Sequence, residues 1–513
     1  MGWDVIVVGA GSAGAVLAVR AAERGKRVLL LEAGPDFRSA EMPEVLRSPN
    51  PGRALGDLAS IESLIWGDVH SARTEKQGQA LYWRGRGVGG SSSINGQIAI
   101  RPPMDDYEDW AAAGCTGWAP ADVLPYFAKL EDDEEYGDAP YHGRGGPTPI
   151  FRMPRDQWGA VDTALRDAAL AAGHPWAPDV NAPAAAGVSP YPINSRDGRR
   201  VCVNDGYLEP ARTVDGLTIR GDALVDRVVF DGDRAVGVRV IHNGAPVTEY
   251  ADEIVLSAGV IHSPAILLRS GVGPAADLRR LGIEVRRDLP VGRGMQDHPM
   301  IVVALPLTAE SGVRTPDDRH TNVCVRFSSG SVPHDLMVVS MNQNVLAMQA
   351  ADLPAGGFGV WLNHNESRGE LTLTSADPAA QPEVRERMLS DARDRARLRT
   401  GVRAVADLAR RPEVAPFLTG PVDALNEQLF AVLDDDAALD DLMLATAVDA
   451  QHGSSTCRMG APDDPATVVD PSCRVLGLDG VRVIDASVFP SVPRANTNLA
   501  TIMTAELMAD RLD

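Results

Sequence analysis

The amino-acid sequence predicts an α/β fold with more than one domain, on three observations. The chain has 513 residues, whereas a single soluble domain commonly has about 100–200. Near its start, two short apolar runs are joined by a glycine-rich turn and a helical segment. Further along, residues 218–256 and 301–375 alternate short β-branched runs with turn residues, a pattern that is typical of antiparallel strands.

The N-terminal unit covers residues 4–34 and reads DVIVVGAGSAGAVLAVRAAERGKRVLLLEAG. Val5–Val8 has the length and the β-branched composition of a buried strand, and Val28–Leu31 has the same character. The segment between them predicts a helix from Ala15 to Arg24, which ends at Gly25. The order strand, glycine turn, helix and strand is typical of a dinucleotide-binding unit.

The glycine turn and the end of the second strand supply the predicted contacts to a dinucleotide. Gly9 allows the tight turn, Gly11 lets the backbone approach a pyrophosphate, and Gly14 lets the helix pack closely on the strand. The free N–H groups at the start of the helix favour phosphate, and Glu32 can accept hydrogen bonds from a ribose. This pattern leaves FAD and NAD open. The predicted contacts are Gly9, Gly11, Ser12, Ala13, Gly14, Glu32 and Ala33.

Composition excludes several classes of partner. The net charge of −21 argues against binding to nucleic acid or to an anionic membrane surface. The acidic runs 131–135 and 434–441 are most simply solvated surface, with a cation site as the alternative. Five widely spaced cysteines form no metal-type pair and no disulfide framework, which indicates a reducing compartment. With no basic leader and no apolar segment of spanning length, the sequence predicts a cytoplasmic protein without integral membrane contact.

The stretch from Tyr82 to Gly96, YWRGRGVGGSSSING, is rich in glycine and serine. Such a run is either a flexible linker or a backbone nest against a ligand. Linkers seldom carry apolar anchors, and this stretch is flanked by Trp83, Ile94 and Ile98. The nest is therefore the favoured interpretation.

The later elements are predicted from turn chemistry and periodicity. Asp231-Gly232 and Asn243-Gly244 are hairpin turns within a meander that ends in a buried strand, residues 254–256, followed by small residues. Residues 393–411 predict a helix whose apolar face is core. That face carries Leu398, Val402, Val405 and Ala409.

From residue 85 to residue 95 the chain resembles the glucose-methanol-choline (GMC) oxidoreductases, a family of FAD-dependent enzymes that oxidise alcohols. Four further stretches agree in order along the whole chain. GVIHSPAILLRSGVG (259–273) resembles the second family signature, and VGRGMQDHP (291–299) resembles VGxNLxDHP with Gly294 and Met295 in place of Asn and Leu. HGSSTCRMG (452–460) resembles HxxGTxxMG, and VIDASVFPSVPRANTN (483–498) resembles the closing flavin and catalytic segment.

The resemblance implies a doubly wound FAD-binding domain built from discontinuous pieces and a substrate-binding domain over an antiparallel sheet. We assign residues 1–150, 201–300 and 465–513 to the first and residues 151–200 and 301–464 to the second. By resemblance, the glycine turn and Glu32 hold the ADP half of FAD, and Val225 lies against the adenine. The resemblance places Asn95 and Gly96 at the flavin ring and Asp485 and Ala486 on the pyrophosphate and ribityl side. Further implied contacts are Val88 and Thr497, with Trp66 as a weaker candidate.

Two departures from the family pattern have chemical consequences. Some members bind FAD covalently through a histidine just before the asparagine of the first signature, and this chain has Ile94 there. Because isoleucine cannot form that bond, we predict non-covalent FAD. Ser455 stands where the family has glycine after the catalytic histidine, which bends the loop or adds a hydroxyl near the site.

His452 and Asn496 are the predicted catalytic residues. Alcohol oxidation needs a proton acceptor whose pKa lies near the working pH, and histidine meets this need most easily. His452 fills the family's catalytic position, while Asn496 matches the partner position and can stabilise alkoxide character on the substrate oxygen. A turn or a helix cap is the structural alternative for Asn496. We predict no catalytic role for four other histidines, which are His142, His262, His298 and His364.

The resemblance thus implies an oxidoreductase that removes hydride from the CH–OH group of a small alcohol, with oxygen or a carrier as electron acceptor. The pattern is most similar to bacterial furfuryl and aromatic alcohol oxidases and to choline dehydrogenase-like members. The alternatives are a dehydrogenase that reoxidises a dedicated carrier of the mycofactocin type, and an FAD-containing hydroxynitrile lyase. A flavin-binding protein without catalysis is the remaining alternative, against which His452 and Asn496 count.

Overall fold

The computed structural model describes residues 2–343 and 355–512. It confirms the N-terminal unit: Trp3–Val8 and Val28–Leu31 pair in parallel, and the helix Gly14–Glu23 connects them. Every residue from Val5 to Val8 and from Val28 to Leu31 is buried, as the apolar runs predict.

These two strands belong to a seven-stranded sheet, the FAD-domain sheet of the sequence prediction. Its long strand Ala245–Leu256 pairs antiparallel with the meander over its first half. Over residues 251–256 it pairs in parallel with Trp3–Val8, and over residues 254–256 also with Val481–Val483. The predicted meander and the predicted buried strand are therefore one continuous element. The strands lie in the order Leu217–Arg220, Val28–Leu31, Trp3–Val8, Ala245–Leu256, Arg234–His242 and Ala223–Asp231, with Val481–Val483 paired to Ala245–Leu256.

A second sheet of six antiparallel strands accounts for the β-rich region after residue 300. The helices Ala160–Ala171 and Ala392–Ala409 pack against it, and the predicted apolar face of the second helix is buried there. The part of the β-rich prediction over residues 344–354 lies outside the described residues. The strands lie in the order Val448–Asp449, Pro299–Pro306, Ala355–Leu362, Leu336–Met341, Val323–Phe327 and Gly187–Pro190.

A smaller sheet and several helices complete the α/β fold class that the sequence predicts. The smaller sheet has five strands: Arg293–Met295, Gly369–Thr372, Glu383–Arg385, His70–Ala72 and Gln79–Leu81. The other long helices are Met104–Ala112, Pro120–Leu130, Gly259–Arg269, Asp436–Thr446 and Thr497–Ala509. Within residues 2–343 and 355–512, no helix is long and apolar enough to cross a membrane. The division of the chain into two domains stays a prediction.

The acidic run 131–135 departs from the sequence prediction of solvated surface. Glu131 and Asp133 are fully buried. Glu131 pairs with Arg101, Asp133 pairs with Arg152 at 2.9 Å, and His142 Nδ1 lies 2.7 Å from a Glu131 oxygen. These carboxylates are buried because distant parts of the chain supply their cationic partners, which the local sequence does not reveal.

Candidate active site

One cavity of about 490 Å³ brings together most of the predicted site residues. Its wall includes the glycine turn, the Asn95–Gly96 pair, His452 and Asn496. The remaining predicted residues in the wall are Ser12, Ala13, Glu32, Ala33, Trp66, Val225, Asp485, Ala486 and Thr497. The wall of this one cavity is built from residues that lie almost 500 positions apart in the sequence. The site is therefore formed by the tertiary fold and not by any single segment of the chain.

Gly14 and Val88 are the two predicted cofactor residues outside the cavity wall. A Cβ on Gly14 would lie 1.8 Å from the Gly9 carbonyl oxygen, so its role is the close packing of helix on strand. Val88 is buried, and its N–H donates to the Pro35 carbonyl at 3.1 Å.

The glycine turn and the Gly/Ser stretch lie against each other, which favours the nest over the linker. Gly9 has a φ of 97°, which is why the turn requires glycine. The Gly89 N–H donates to the Ala10 carbonyl at 2.8 Å, and the Gly90 Cα lies 3.7 Å from a Cβ built on Gly11. Two glycine-rich segments thus form one face of the cavity, where backbone N–H groups can approach a pyrophosphate.

Glu32 is buried at the end of its strand, and its carboxylate organises this face. Its Oε1 accepts the N–H groups of Gly34 and Gly87, each at 2.9 Å, and its Oε2 accepts the Ala10 N–H at 2.8 Å. Burial raises the pKa of Glu32, and these backbone donors act in the opposite direction. The two carboxylate oxygens can accept further hydrogen bonds from ribose hydroxyls. Glu32 and the backbone around it therefore fit the ADP half of FAD.

Asn95 lies in the cavity wall, and its amide oxygen is engaged within the protein. Its Oδ1 accepts from Arg200 and from the Gln97 N–H, both at 2.9 Å. The Nδ2 group is therefore the part of this side chain that can donate to a ligand. The neighbouring Ile94 also lines the cavity and offers no atom for a covalent bond to a cofactor.

His452 and Asn496 form a hydrogen-bonded pair in the cavity wall. The amide Nδ2 of Asn496 donates to Nε2 of His452 at 3.0 Å, and Asn496 Oδ1 accepts from the Tyr191 hydroxyl at 3.1 Å. Asn496 precedes the helix Thr497–Ala509 but makes no side-chain cap, so the capping alternative does not account for its side chain. In a neutral His452 that accepts at Nε2, the ring proton lies on Nδ1.

His298, for which the sequence analysis predicts no catalytic role, contacts the predicted base. Its Nδ1 lies 3.0 Å from Nδ1 of His452, and both rings are buried. The His452 Nδ1–H donates to His298, which holds His452 in the tautomer whose Nε2 lone pair points into the contact with Asn496. Burial, with contributions from His298 and Arg84, lowers the pKa of His452 well below its ordinary value. Burial likewise lowers the pKa of His298 to about 3.

Asp297 fixes the backbone of this histidine pair. Its Oδ1 accepts the N–H of His298 at 2.7 Å and that of His452 at 2.9 Å, while its Oδ2 accepts the Tyr82 hydroxyl at 2.6 Å. Burial and the nearby Asp449 raise the pKa of Asp297 to about 7. The only sequence signal for this role is the position of Asp297 in the stretch VGRGMQDHP (291–299). That stretch does not reveal Tyr82 and His452 as partners, because they lie far away in the chain.

Asp297→Asn gives a test of this arrangement through the pH dependence of stability. Folding raises the pKa of Asp297 from 3.8 to about 7, so the folded protein keeps a proton that the unfolded chain loses between these values. The contribution of Asp297 to stability therefore falls as the pH rises from about 4 to 7. We expect Asp297→Asn, measured against wild type by denaturant unfolding, to gain relative stability between pH 5 and pH 7. A gap between the two proteins that is constant with pH would contradict the assignment.

The backbone of the loop after His452 explains why the family pattern has glycine at the position of Ser455. Ser455 has a φ of 70° and is buried. The glycine of the family pattern therefore corresponds to a left-handed backbone position, where a serine costs about 1 kcal/mol. The Ser455 N–H donates to the Ala486 carbonyl at 3.2 Å, which ties this loop to the Asp485–Ala486 segment.

Comparisons with known proteins agree with this geometry. Family models described as GMC oxidoreductase match residues 3–300 and 365–505. The chain is 37% identical to the 5-(hydroxymethyl)furfural oxidase of Methylovorus sp. (strain MP688), over 99% of this chain and 98% of that protein. It is 34% identical to the mitochondrial choline dehydrogenase of Homo sapiens, over 99% and 89%. The structure of pyridoxine 4-oxidase from Mesorbium loti superimposes with a TM-score of 0.89, at 28% identity and 99% coverage of both chains. The chain therefore belongs to the GMC oxidoreductase family and is an FAD-dependent oxidoreductase of alcohol-type substrates.

Proposed function

We propose that this enzyme oxidises the CH–OH group of a small alcohol, with His452 as the base. The observation that carries this proposal is the 3.0 Å contact between Nε2 of His452 and Nδ2 of Asn496 in the wall of the cavity. An alcohol hydroxyl that binds here replaces this direct contact: it donates its proton to Nε2 and accepts a hydrogen bond from the amide. Because His452 is neutral and its proton lies on Nδ1, Nε2 is ready to take the hydroxyl proton.

Asn496 and His298 assist this step in different ways. As the proton leaves, negative charge develops on the substrate oxygen, and the Asn496 amide stabilises it by a hydrogen bond. The Tyr191 hydroxyl holds the amide oxygen, which keeps the Nδ2 hydrogens directed at the substrate. His298 accepts the Nδ1 proton of His452 and so positions the ring for the transfer. FAD held in this cavity would supply the acceptor for the hydride of the carbinol carbon.

We further propose which residues hold the cofactor. Gly9, Gly11, Ser12 and Ala13 bind the pyrophosphate through the backbone at the start of the first helix. Glu32 binds the ribose, and Val225 lies at the adenine. The Asn95–Gly96 pair lies at the flavin ring, Asp485 and Ala486 lie on the pyrophosphate and ribityl side, and Thr497 is a further contact. Oxygen or a carrier then receives the electrons.

An anaerobic screen of primary alcohols tests the proposed function. The enzyme as purified with FAD is mixed with each alcohol, and absorbance near the flavin maximum is followed. A substrate bleaches the flavin, and the rate of recovery in air distinguishes an oxidase from a dehydrogenase. Release of an aldehyde and cyanide from a cyanohydrin without bleaching would instead support the hydroxynitrile lyase alternative.

The FAD is expected to be released when the protein is denatured. Ile94 lies in the cavity wall where some relatives have a covalently linked histidine, and an aliphatic side chain forms no such bond. Acid precipitation followed by absorbance of the supernatant measures the released flavin. Yellow colour that stays with the precipitated chain would contradict this prediction.

Glu32→Gln is expected to weaken FAD binding by about 10-fold or more. The wild-type carboxylate accepts hydrogen bonds from three backbone N–H groups. In glutamine an NH₂ group replaces one of the two oxygens, so at least one of these N–H groups loses its acceptor. Titration of the apoprotein with FAD, followed by flavin fluorescence, gives the dissociation constant. The control is Glu23→Gln. Glu23 is a half-exposed glutamate at the end of the helix Gly14–Glu23, where it pairs with Arg20. Equal FAD affinity in the two variants would remove Glu32 from the cofactor site.

A further inference from the structure

Six buried charged side chains form a cluster outside the cavity wall, which we call the His142 cluster. Arg101 pairs with Glu131. Arg152 bonds both Asp133 and Asp179, each at 2.9 Å. With two arginines against three carboxylates, the cluster is balanced in charge only when its histidine is protonated. The members are Arg101, Glu131, Asp133, His142, Arg152 and Asp179.

Both ring nitrogens of His142 face carboxylate oxygens. Nδ1 lies 2.7 Å from Glu131 Oε2, and Nε2 lies 2.9 Å from Asp179 Oδ2. An ionised carboxylate only accepts hydrogen bonds, so both contacts are hydrogen bonds only when each ring nitrogen carries a proton. Burial acts to raise the pKa of Asp179, but the hydrogen bond from His142 and the charge of Arg152 lower it below its ordinary value. In this geometry the ring is therefore an imidazolium.

The charged groups around His142 favour its protonated form. Burial acts to lower the pKa of His142, but the hydrogen bonds to Asp179 and Glu131 outweigh burial and raise it to about 9. Asp133 lies 3.5 Å from Nδ1 and adds a further negative charge. Arg101 also lies 3.5 Å from Nδ1 and acts in the opposite direction. The carboxylates thus prevail over both burial and the arginine.

Two tyrosines complete the surroundings of this ring. Tyr136 and Tyr141 pack on His142 with 6.2 and 4.8 Å between ring centroids. Burial raises the pKa of both phenols, so neither carries a charge in the range where His142 titrates. Arg152 lies over the Tyr136 ring at 4.6 Å from its centroid, which keeps this cation inside the cluster.

The cluster holds the backbone that leaves the cavity wall. The chain leaves the wall at Ile98 and enters the cluster at Arg101. Asp179 Oδ1 accepts the N–H of Asn181 at 3.0 Å. The Asn181 side chain in turn accepts the Arg101 N–H at 2.8 Å and donates to the Ala99 carbonyl at 3.0 Å. A change in the cluster is therefore passed to backbone next to the cavity.

We propose that His142 carries a positive charge at neutral pH, and that loss of its proton at alkaline pH loosens the backbone beside the cavity and weakens FAD binding. When the proton leaves to solvent, one ring nitrogen becomes an acceptor that faces a carboxylate oxygen. The buried cluster then also keeps one uncompensated negative charge, which is costly. This inference concerns cofactor retention and does not rest on the alcohol chemistry at His452.

A divalent cation is the alternative means of balancing these carboxylates. One ligand atom each from Glu131, Asp133 and His142 lies within 4.8 Å of the others. The arginines argue against a metal, because Arg101 already pairs with Glu131. Arg152 donates to both oxygens of Asp133, at 2.9 and 3.0 Å. One equivalent of metal in the purified enzyme that is lost in His142→Gln would overturn the proposal, since a metal-bound imidazole nitrogen carries no proton.

Nuclear magnetic resonance of the FAD-loaded enzyme, labelled with ¹⁵N in histidine, measures the charge of His142 directly. His142→Gln removes the signals of this residue and so assigns them. We expect two protonated ring nitrogens at neutral pH and loss of one proton with a midpoint near 9. A ring that is neutral at pH 7 overturns the proposal.

The rate at which the loaded enzyme releases FAD after dilution tests the coupling to the cavity. Flavin fluorescence, normalised to total FAD at each pH, follows the release between pH 7 and pH 9.5. We expect wild type to release FAD ~10-fold faster at the alkaline end, a usual size for coupled sites. His142→Gln is expected to release FAD fast already at pH 7 and to change little with pH. The control is His70→Gln, at an exposed histidine, which should behave as wild type. The same pH dependence in His142→Gln and wild type overturns the proposal.

The free energy of unfolding gives an independent check. Folding raises the pKa of His142 from 6.5 to about 9, so the folded protein keeps a proton that the unfolded chain loses between these values. The contribution of His142 to stability is therefore complete below pH 6.5 and is lost as the pH rises through 9. The stability gap between wild type and His142→Gln should narrow over this range, and a constant gap overturns the proposal. If His142→Gln does not fold, wild type alone decides, because an imidazolium signal and faster FAD release must titrate together near pH 9.

Discussion

Replacing His452 with alanine is expected to slow anaerobic reduction of the flavin by ~10²–10⁴-fold, the usual range for a positioned acid–base group. Nε2 of His452 is the ring atom that meets Asn496 in the cavity, and its removal leaves no other ring nitrogen at that place. FAD is expected to remain bound, because the proposed contacts to the ADP half lie at the glycine turn and Glu32. Anaerobic stopped-flow absorbance gives the rate constant, and the flavin content of the purified variant gives the occupancy.

A second histidine in the same cavity offers a matched control. His262 lines the cavity, but its ring packs at a tilt on Trp66, with 4.3 Å between ring centroids, and it hydrogen-bonds Gln381 at 3.0 Å. We expect His262→Ala to slow flavin reduction by less than ~10-fold, as for a side chain that contacts no reacting atom. If His452→Ala reduces its flavin as fast as His262→Ala does, the base lies elsewhere.

Asn496→Ala is expected to cost ~10-fold to 10³-fold in the same rate constant, as for the loss of one hydrogen bond to developing charge. Because Asn496 and His452 act on one oxygen, the double variant should lose less than the product of the two single effects. Stopped-flow on wild type, both single variants and the double variant measures this coupling. Strictly multiplicative losses would show that the two side chains act independently.

Tyr191→Phe tests whether the amide of Asn496 must be held. The phenol hydroxyl is the donor to Asn496 Oδ1, and its loss frees the amide to rotate. We expect a smaller loss than in Asn496→Ala, together with little further loss when Asn496→Ala is added. Full additivity of the two changes would contradict the arrangement.

Much of the fold could be predicted from local pattern. The apolar runs of residues 5–8 and 28–31, the glycine turn and Glu32 all follow from short-range requirements of a dinucleotide unit, and the structure places Glu32 in the cavity as expected. The meander was predicted from its turn residues for the same reason. Such features need only neighbours a few positions away, so a single sequence carries them.

The site depends on contacts that local pattern does not contain. His298 and His452 are 154 positions apart, and only the pairing of their strands and loops brings the two rings together. The same holds for Asp297, whose carboxylate fixes backbone on both sides of this pair.

The pKa of His452 also differs from the expectation drawn from its residue type. An ordinary histidine titrates near working pH, whereas burial lowers the pKa of His452 well below the usual value. The imidazole is therefore neutral throughout the near-neutral range. We expect protonation of His452 to leave the rate of flavin reduction unchanged until the pH falls well below 6.5.

Isotopic substitution at the carbinol carbon provides the most direct measurement of the central claim, that hydride leaves an alcohol in this cavity as His452 takes its proton. The FAD-loaded enzyme is mixed anaerobically with a primary alcohol and with the same alcohol deuterated at that carbon. We predict that the flavin bleaches in a single turnover, that deuterium slows the bleaching several-fold, and that His452→Ala slows it with both alcohols. Product formation while the flavin stays oxidised, or bleaching that responds neither to deuterium nor to His452→Ala, would contradict the claim.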